Sequence, residues 1–252
     1  MRTLVVIPTY NEAESIAGLV EQVLAARQGI DTLVVDDGSP DGTATLVKQL
    51  QASTPRLHLL ERTAKQGLGA AYRAGFRWGL ARDYDALVEM DADFSHPPER
   101  LPALIDALAG ADVSIGSRYV PGGRTVGWSP VRKAISKLGN AYVRAVIGLP
   151  VRDATAGYRG FRREVLRALA VESTESNGYC FQIEMAHRAW QEGFRIAETP
   201  ITFTDRVAGE SKMDGRIVLE ALVRVTGWAL TGGRRRVRAQ HPASVLAGSP
   251  TA

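Results

Sequence analysis

The sequence predicts an α/β protein with a mostly parallel central β-sheet flanked by helices. Three observations support this fold class. Short apolar segments alternate with segments of helical spacing, turn-forming residues follow the apolar segments, and 252 residues with 45% hydrophobic content can bury one large core. Alternating strands and helices form parallel sheets with right-handed crossovers, and such sheets bind ligands outside the carboxyl ends of their strands.

Five strands are predicted in the first half of the chain. The helix after the first strand has apolar residues at i, i+3, i+4, i+7 and i+8 between Ile16 and Leu24. The second strand precedes the turn sequence D-G-S-P-D-G, and the helix after that turn reaches about Ala52. Further helices are predicted around Ala70–Gly75 and Leu101–Leu108. The predicted strands are Thr3–Thr9, Asp31–Asp36, Leu57–Glu61, Ala86–Met90 and Val113–Ser117.

The second half is predicted to be mainly helical. It begins with a glycine-rich loop from Pro121 to Gly127. The elements predicted after this loop are a basic amphipathic helix at Pro130–Ile147, a helix at Phe181–Glu192, a strand at Ile196–Thr204, a polar loop at Asp205–Met213 and a helix at Gly215–Leu230. We expect one domain over residues 1–230, divided into halves of about 1–118 and 119–230. Residues 231–252 are expected to form a basic, flexible tail.

Composition excludes several classes of protein. The single cysteine, Cys180, excludes an internal disulfide and suits a reducing compartment. The first strand turns at Pro8, so its apolar run is too short for a signal peptide, and no apolar stretch is long enough to span a bilayer. The net charge of +4 favours anionic partners, but no aromatic platform typical of nucleic-acid binding is visible. We therefore expect a cytoplasmic protein that does not bind nucleic acid.

The stretch V-E-M-D-A-D-F-S-H, residues 88–96, carries the strongest chemical signal. Asp91 and Asp93 follow a strand and stand one residue apart, so in extended chain both carboxylates point the same way. Carboxylates in this arrangement suit a hard divalent cation such as Mg²⁺, which usually keeps open positions for substrate phosphates. An isolated D-x-D is more often a polar turn, so the neighbouring loops decide between the two interpretations.

Three loops that follow predicted strands should converge on one edge of the sheet. They bring together Glu12, Asp36 with Asp37, and Asp91 with Asp93. Carboxylates grouped in this way repel each other unless a cation and a ligand's donors lie between them, and a nucleoside diphosphate with its metal would satisfy both needs. The dinucleotide fingerprint and the Walker A motif are absent, and the G-L-G at residues 67–69 favours a close-packed turn over a phosphate-binding loop.

Several separated motifs resemble one enzyme family. The stretches P-T-Y-N-E, V-V-D-D-G-S-P-D-G-T, M-D-A-D-F-S-H-P-P, G-S-R-Y-V-P-G-G and F-T-D-R-V-A-G-E-S-K are similar to those of the family 2 inverting glycosyltransferases, in particular the branch acting on polyprenyl (dolichyl) monophosphates. The resemblance runs from Arg2 to about Leu230. It implies a GT-A fold, GDP-mannose as donor, a polyprenyl monophosphate as acceptor, and Mg²⁺ or Mn²⁺ as cofactor.

The resemblance also assigns roles to individual residues. On the donor side it implies a nucleoside pocket lined by Pro8, Tyr10, Glu12, Val35, Asp36 and Asp37. It implies metal and diphosphate positions at Asp91, Ala92, Asp93 and Ser95, although Ser95 departs from the Gln that relatives often carry. Cations that contact the donor or the phosphates would be Arg118, Arg206 and Lys212, and acceptor contacts would be Arg132 and Ser136.

The chemistry expected of such a site needs no general base. The second pKa of a phosphate monoester is near 6, so the acceptor oxygen is already an anion at neutral pH. The site must instead offset the repulsion between the acceptor phosphate and the diphosphate of the donor. The candidate catalytic residues for this role are Asp91 and Asp93, which would hold a cation, together with Arg118 and Arg132. One direct displacement at the anomeric carbon would invert its configuration.

Some assignments remain open from the sequence. The basic helix predicted at Pro130–Ile147 suits an anionic membrane surface, or it is a core helix with a solvated basic face. Asp153 orients a cation or caps a turn, and His187 is expected to be structural or exposed rather than catalytic. The chain is expected on the cytoplasmic face of the membrane, held by surface attachment or by a separate membrane subunit. Transfer from UDP-glucose, and a catalytically silent nucleotide-sugar binding module, are the alternative functions.

Overall fold

A computed structural model describes residues 1–174, 176, 178–205 and 215–231 of the protein. A seven-stranded sheet with strand order β3-β2-β1-β4-β7-β5-β8 forms its centre. These strands are β1 Thr3–Thr9, β2 Ile30–Asp36, β3 Leu57–Glu61, β4 Ala86–Glu89, β5 Val113–Ser117, β7 Arg159–Arg162 and β8 Ile196–Pro200. Two short strands, β6 Arg124–Val126 and β9 Thr202–Thr204, form a separate parallel pair.

Helices cover the sheet and form most of the second half of the described chain. They are α1 Ile16–Ala26, α2 Thr43–Gln51, α3 Leu68–Leu80, α4 Leu101–Asp106, α5 Pro130–Ile147, α6 Arg163–Ala168, α7 Gly178–Gln191 and α8 Gly215–Thr231. Helix α5 begins where the sequence places a start signal, because the Ser129 side chain accepts the Arg132 N–H at 3.3 Å and Pro130 occupies the first turn. None of the helices within the described ranges combines the length and apolarity that a bilayer crossing requires.

The fold class and the first five strands are confirmed, each strand within one residue at either end. Two predictions in the second half are wrong. The strand predicted at Ile196–Thr204 is two strands in different sheets, separated at Ile201, whose N–H donates to the Ser117 carbonyl. The loop predicted at Pro121–Gly127 contains β6, because Arg124–Val126 pairs with β9.

Strand β7 is one of the elements that the sequence did not indicate. It pairs antiparallel with both β4 and β5 in an otherwise parallel sheet. Its first residue, Arg159, is fully buried, and its guanidinium donates to the carbonyls of Ala156, Gln182 and Ala154 at 2.6–2.7 Å. An arginine buried in this way breaks the apolar pattern by which strands are recognised, so only the long-range pairing reveals the strand.

The core lies on both faces of the sheet, and α3 approaches one face closely. Gly79 of α3 packs directly over β1 and β4, since a Cβ atom there would lie 2.5 Å from Leu87 Cδ2 and 2.8 Å from Leu4 Cδ2. These distances are shorter than ordinary van der Waals contact. The glycine therefore allows the helix to approach the sheet.

This packing predicts opposite effects for two glycine substitutions in helices. Gly79→Ala is expected to lower the free energy of unfolding by about 1 to 3 kcal/mol, because it overpacks the core. Gly139→Ala in α5, where a Cβ would meet no atom within 4 Å, is expected to raise that free energy by up to about 1 kcal/mol through helix propensity. Urea unfolding of both variants measures the difference. Equal effects would contradict the close approach of α3.

His187 of α7 is buried against α8, which confirms the expectation of a structural residue. Its ring lies 6.0 Å from the Trp228 ring, and its Nε2 has no hydrogen-bond partner within the described part of the chain. Burial lowers the pKa of His187 below its ordinary value of 6.5. In acid, the unfolded chain therefore takes up this proton more readily than the folded one.

The His187 pKa shift gives stability a pH dependence. The stabilisation that depends on neutral His187 is fully present above about pH 6.5, which is its pKa in the unfolded chain. This stabilisation is lost as the pH falls from that value toward the lower pKa of His187 in the folded protein. We expect the free energy of unfolding to fall more between about pH 7.5 and pH 5.5 in the wild-type chain than in His187→Phe. Urea unfolding at a series of pH values tests this. Parallel curves for the two proteins would exclude a contribution from His187.

Candidate active site

A cavity of about 460 Å³ lies at the carboxyl ends of β1, β2, β4 and β5. Most of the site residues predicted from the sequence lie around this cavity. This supports the prediction that the three loops converge on one edge of the sheet. The predicted residues that line the cavity are Pro8, Tyr10, Glu12, Asp37, Asp91, Ala92, Asp93, Ser95, Arg118 and Arg132. Residues that the sequence did not single out also line it, among them Lys65, Trp128, Thr155, Tyr179, Gln182 and Phe203.

Three predicted site residues do not line the cavity. The Val35 side chain is fully buried in the core beneath α3 and does not reach the cavity. The Asp36 carboxylate accepts hydrogen bonds from the Thr9 hydroxyl at 2.9 Å and from the Ser39 N–H at 2.9 Å, and it therefore shapes the turn after β2. The Ser136 hydroxyl accepts a hydrogen bond from the Tyr119 hydroxyl at 2.7 Å. Arg206 and Lys212 lie outside the described residues.

The turn after β4 presents the D-x-D carboxylates. Phe94 adopts a left-handed backbone conformation, with φ 58°, and the Ser95 N–H donates to Asp93 Oδ1 at 3.0 Å. This tight turn holds Asp93 and Ser95 at the cavity together with Asp91, whose side chain is 27% exposed. The Ser95 hydroxyl is buried without a hydrogen-bond partner among the described residues. A buried hydroxyl without a partner at this position is available to contact a bound ion or substrate.

The oxygen atoms that the chain presents at the D-x-D turn suit a hard divalent cation that is also coordinated by a substrate. No cluster of three or more His, Cys, Asp and Glu side chains in the described ranges is arranged to hold a metal ion. The chain therefore offers two carboxylates and one hydroxyl, from Asp91, Asp93 and Ser95, rather than a complete cage. Mg²⁺ is commonly held by one or two carboxylates together with phosphate oxygens and water, which matches this set.

Arg118 lines the cavity as half of a buried ion pair. Its Nε donates to Asp153 Oδ2 at 2.7 Å and its Nη2 to Asp153 Oδ1 at 2.5 Å, and the Arg118 backbone N–H donates to the same carboxylate at 2.9 Å. Burial alone would lower the pKa of Arg118, but the Asp153 carboxylate raises it above its usual range. Asp153 thus orients a cation, which resolves the question that the sequence left open.

A second cation, Arg132, lies near Arg118 on the same wall of the cavity. Its Nη1 lies 2.7 Å from Asp205 Oδ2, and its guanidinium carbon lies 4.2 Å from the Trp128 ring centroid. The Arg118 guanidinium lies 5.1 Å from that same ring, so the indole contacts both cations. Trp128 is 7% exposed, and its Nε1 has no hydrogen-bond partner in the described part of the chain. This wall therefore offers positive charge and a free N–H donor to an anion.

The opposite end of the cavity suits a nucleoside. The Lys65 ammonium lies 3.8 Å from the centroid of the Tyr10 ring, which is partly exposed. Asp37 lies 2.9 Å from Arg62, and burial raises the pKa of Asp37 while Arg62 opposes that shift. An aromatic face beside a fixed carboxylate can stack on a base and accept hydrogen bonds from a base or ribose.

The parallel sheet, the strand-end cavity and the D-x-D turn define a glycosyltransferase with the GT-A fold. The model of the family described as Glycosyl transferase family 2 matches residues 4–170, which is more than half of the chain. The chain therefore belongs to glycosyl transferase family 2. The family resemblance noted in the sequence is therefore confirmed.

Three similar proteins narrow the comparison. A polyprenol monophosphomannose synthase of Mycolicibacterium smegmatis is 52% identical over 94% of this chain and 90% of its own length. An undecaprenyl-phosphate mannosyltransferase of Micrococcus luteus is 52% identical over 95% of this chain and 99% of its own. The solved mannosyltransferase of Pyrobaculum calidifontis with GDP-Man and Mn²⁺ has a TM-score of 0.62 and 20% identity, covering 91% of this chain and 64% of that one. This structural similarity supports the fold alone.

The site residues that the sequence analysis missed come from segments that are distant from one another in the chain. Trp128 precedes α5, Tyr179 and Gln182 belong to α7, and Phe203 belongs to β9. Of these four residues, Phe203 alone lies in a motif identified in the sequence, F-T-D-R-V-A-G-E-S-K. Only their presence in the cavity distinguishes the other three, so no local signal could have selected them.

Proposed function

We propose that this chain transfers mannose from GDP-mannose to a polyprenyl monophosphate with inversion at the anomeric carbon, releasing GDP. The observation that carries the proposal is that the carboxylates Asp91 and Asp93 and the guanidiniums of Arg118 and Arg132 line one cavity. That combination accommodates a diphosphate and a monophosphate at once. Support for the substrates comes from the two relatives at 52% identity, which are named for mannosyl transfer to polyprenyl phosphates.

The donor half of the proposal assigns the nucleoside to the Tyr10 and Asp37 end of the cavity and the diphosphate to the D-x-D turn. Mg²⁺ or Mn²⁺ held by Asp91, Asp93 and Ser95 would offset the negative charge of the diphosphate. Arg206 and Lys212 remain predicted phosphate contacts. The Pyrobaculum calidifontis mannosyltransferase was solved with Mn²⁺ and GDP-Man. We propose a divalent cofactor for this chain as well, and the choice between Mg²⁺ and Mn²⁺ is left to experiment.

The acceptor half of the proposal places the lipid phosphate against Arg118, Arg132 and the Trp128 N–H. An oxygen of this phosphate attacks the anomeric carbon while the bond from that carbon to the GDP oxygen breaks, and the bonding electrons leave with GDP. The acceptor oxygen carries no proton at neutral pH, so no proton has to be removed. The two guanidiniums reduce the repulsion between the anions and hold the nucleophile in position.

The exposed face of α5 supports attachment to a membrane surface. Val131 and Leu138 are 68% and 69% exposed, and Ile135, which lies between them on the same face, is 42% exposed. The basic residues Lys133 and Lys137 flank this apolar face in the sequence. An apolar face with flanking cations suits an anionic bilayer, which is also where a polyprenyl phosphate resides. We propose peripheral binding on the cytoplasmic face of the membrane, with or without a separate membrane subunit.

This membrane proposal predicts that Leu138→Glu weakens binding to vesicles containing anionic phospholipid by about tenfold, since burying a Leu side chain contributes roughly 1.5 to 3 kcal/mol. Vesicle sedimentation measures the partition coefficient. Ala81→Glu adds the same charge at an exposed position outside α5 and serves as control. Equal binding by the two variants would exclude α5 as the contact surface.

The direct test of the proposed function incubates the purified chain with GDP-mannose, a polyprenyl phosphate and Mg²⁺ or Mn²⁺, with and without chelator. We expect metal-dependent release of GDP and a mannosylated lipid on thin-layer analysis. UDP-glucose is assayed in parallel. Preferential transfer of glucose would identify UDP-glucose, instead of GDP-mannose, as the sugar donor. Binding of GDP-mannose without GDP release in the presence of acceptor would indicate a silent binding module and refute the proposal.

A further inference from the structure

Asp91, the first carboxylate of the D-x-D turn, is contacted by two side chains that carry no fixed charge. The Tyr72 hydroxyl donates to Asp91 Oδ1 at 3.2 Å, and His96 Nε2 lies 3.9 Å from Asp91 Oδ2. The Asp91 backbone N–H donates to His96 Nδ1 at 3.0 Å, so a neutral imidazole carries its proton on Nε2, facing the carboxylate. The two carboxylate oxygens are therefore each approached by a different side chain.

Two other carboxylates that line the cavity are each paired with an arginine. Asp37 lies 2.9 Å from Arg62, and Asp205 lies 2.7 Å from Arg132. Within the described ranges, no Lys or Arg nitrogen lies within 4.0 Å of the Asp91 carboxylate. Asp91 is therefore oriented without being neutralised by a cationic side chain, and its negative charge remains available to a bound cation.

Tyr72 is itself held firmly. It lies on α3 and is fully buried, with its ring stacked on Phe181 at 6.3 Å and on Phe76 at 6.1 Å between centroids. The close packing of α3 on the sheet at Gly79 restricts the helix that carries it. A hydroxyl on such a support can fix the direction of its partner within narrow limits.

We propose that Tyr72 is a positioning residue that fixes the Asp91 carboxylate in the orientation required to bind a divalent cation. The inference rests on the proposed function, which requires that cation. Without the hydroxyl, Oδ1 would lose its donor and the carboxylate could rotate about χ2, so the cation would have to order it on binding. Outer contacts of this kind typically change metal affinity by about 10- to 100-fold.

The test compares Tyr72→Phe with the wild-type chain in a binding experiment without turnover. Free Mn²⁺ is measured by electron paramagnetic resonance during titration in the presence of saturating GDP. We expect the Kd for Mn²⁺ to rise about tenfold, and the affinity for GDP in the presence of chelator to remain unchanged. In turnover, more Mn²⁺ should be needed for half-maximal rate, while the rate at saturating Mn²⁺ changes little.

Tyr84→Phe is a matched control. The buried Tyr84 hydroxyl donates to Asp31 Oδ2 at 2.8 Å, near the amino end of β2 and outside the cavity. Both variants therefore lose one hydrogen bond between a buried Tyr and an Asp, and both keep the aromatic ring. Tyr84→Phe is expected to keep the wild-type Kd for Mn²⁺ within about twofold, by the approximate additivity of distant sites.

Three outcomes would overturn the inference. Wild-type affinity for Mn²⁺ in Tyr72→Phe would exclude positioning and leave the proposed function intact. Equal weakening in both variants would identify a general loosening of the fold. Absence of Mn²⁺ binding by the wild-type chain with GDP would overturn both this inference and the metal site in the proposed function. Near-UV circular dichroism confirms that each variant retains its tertiary structure.

Discussion

Asp93→Ala is expected to reduce mannosyl transfer by more than about a hundredfold, because even outer contacts of a metal site cost about 10- to 100-fold when removed. Asp93 lines the cavity in the turn after β4, and its carboxylate also accepts the Ser95 N–H at 3.0 Å. The substitution removes one of the two carboxylates that the chain offers to a cation. GDP release with saturating GDP-mannose, polyprenyl phosphate and Mn²⁺ measures the effect.

Asp93→Ala should lower the rate of transfer and the affinity for the cation, but not the stability of the fold. Thermal unfolding of Asp93→Ala is expected to resemble that of the wild-type chain, since the side chain lies at a cavity rather than in the core. Asp106→Ala removes an exposed carboxylate that pairs with Arg27 outside the cavity, and it is expected to keep wild-type turnover. Substantial metal-dependent transfer by Asp93→Ala would refute the assignment of the D-x-D turn.

Asp153→Ala is expected to have the largest effect on stability, lowering the free energy of unfolding by about 3 to 5 kcal/mol. Asp153 is fully buried and accepts hydrogen bonds from the Arg118 side chain and from the Arg118 backbone N–H. Its removal leaves a buried guanidinium without its counterion, which is far more costly than losing an exposed pair. Urea unfolding measures the change.

Two further variants test whether the loss of stability in Asp153→Ala comes from the ion pair with Arg118. Asp83→Ala breaks an exposed contact with Arg163 at 3.8 Å and is expected to change the free energy of unfolding by less than about 1 kcal/mol. The double variant Arg118→Met with Asp153→Leu should regain part of the lost stability, because no unpaired charge remains buried. It should stay inactive, since Arg118 lines the cavity. A stable single variant Asp153→Ala would contradict the role of the pair.

The elements that depend on local patterns could be predicted from the sequence. The strands Thr3–Thr9, Leu57–Glu61 and Val113–Ser117 have the bounds that the structure gives them, because short apolar runs between turn residues are a local signal. The bounds predicted for the helix Pro130–Ile147 also agree with the structure, since its basic and apolar residues recur at helical spacing. The D-x-D turn was recognised because strand and carboxylates adjoin in sequence.

Only the tertiary structure decided which polar residues can reach a ligand. Asp36 and Asp37 are neighbours in sequence, but Asp36 shapes the turn after β2 while Asp37 lines the cavity. Likewise, Asp153 orients Arg118 from 35 residues away in the chain, and the Tyr72 hydroxyl contacts Asp91 from 19 residues away. These differences arise from contacts between distant segments, which carry no periodic signal. The sequence by itself thus determined the fold class, the first five strands, the strand-end loops and the family. Folding determined the antiparallel strand β7 and which carboxylates remain available to a cation.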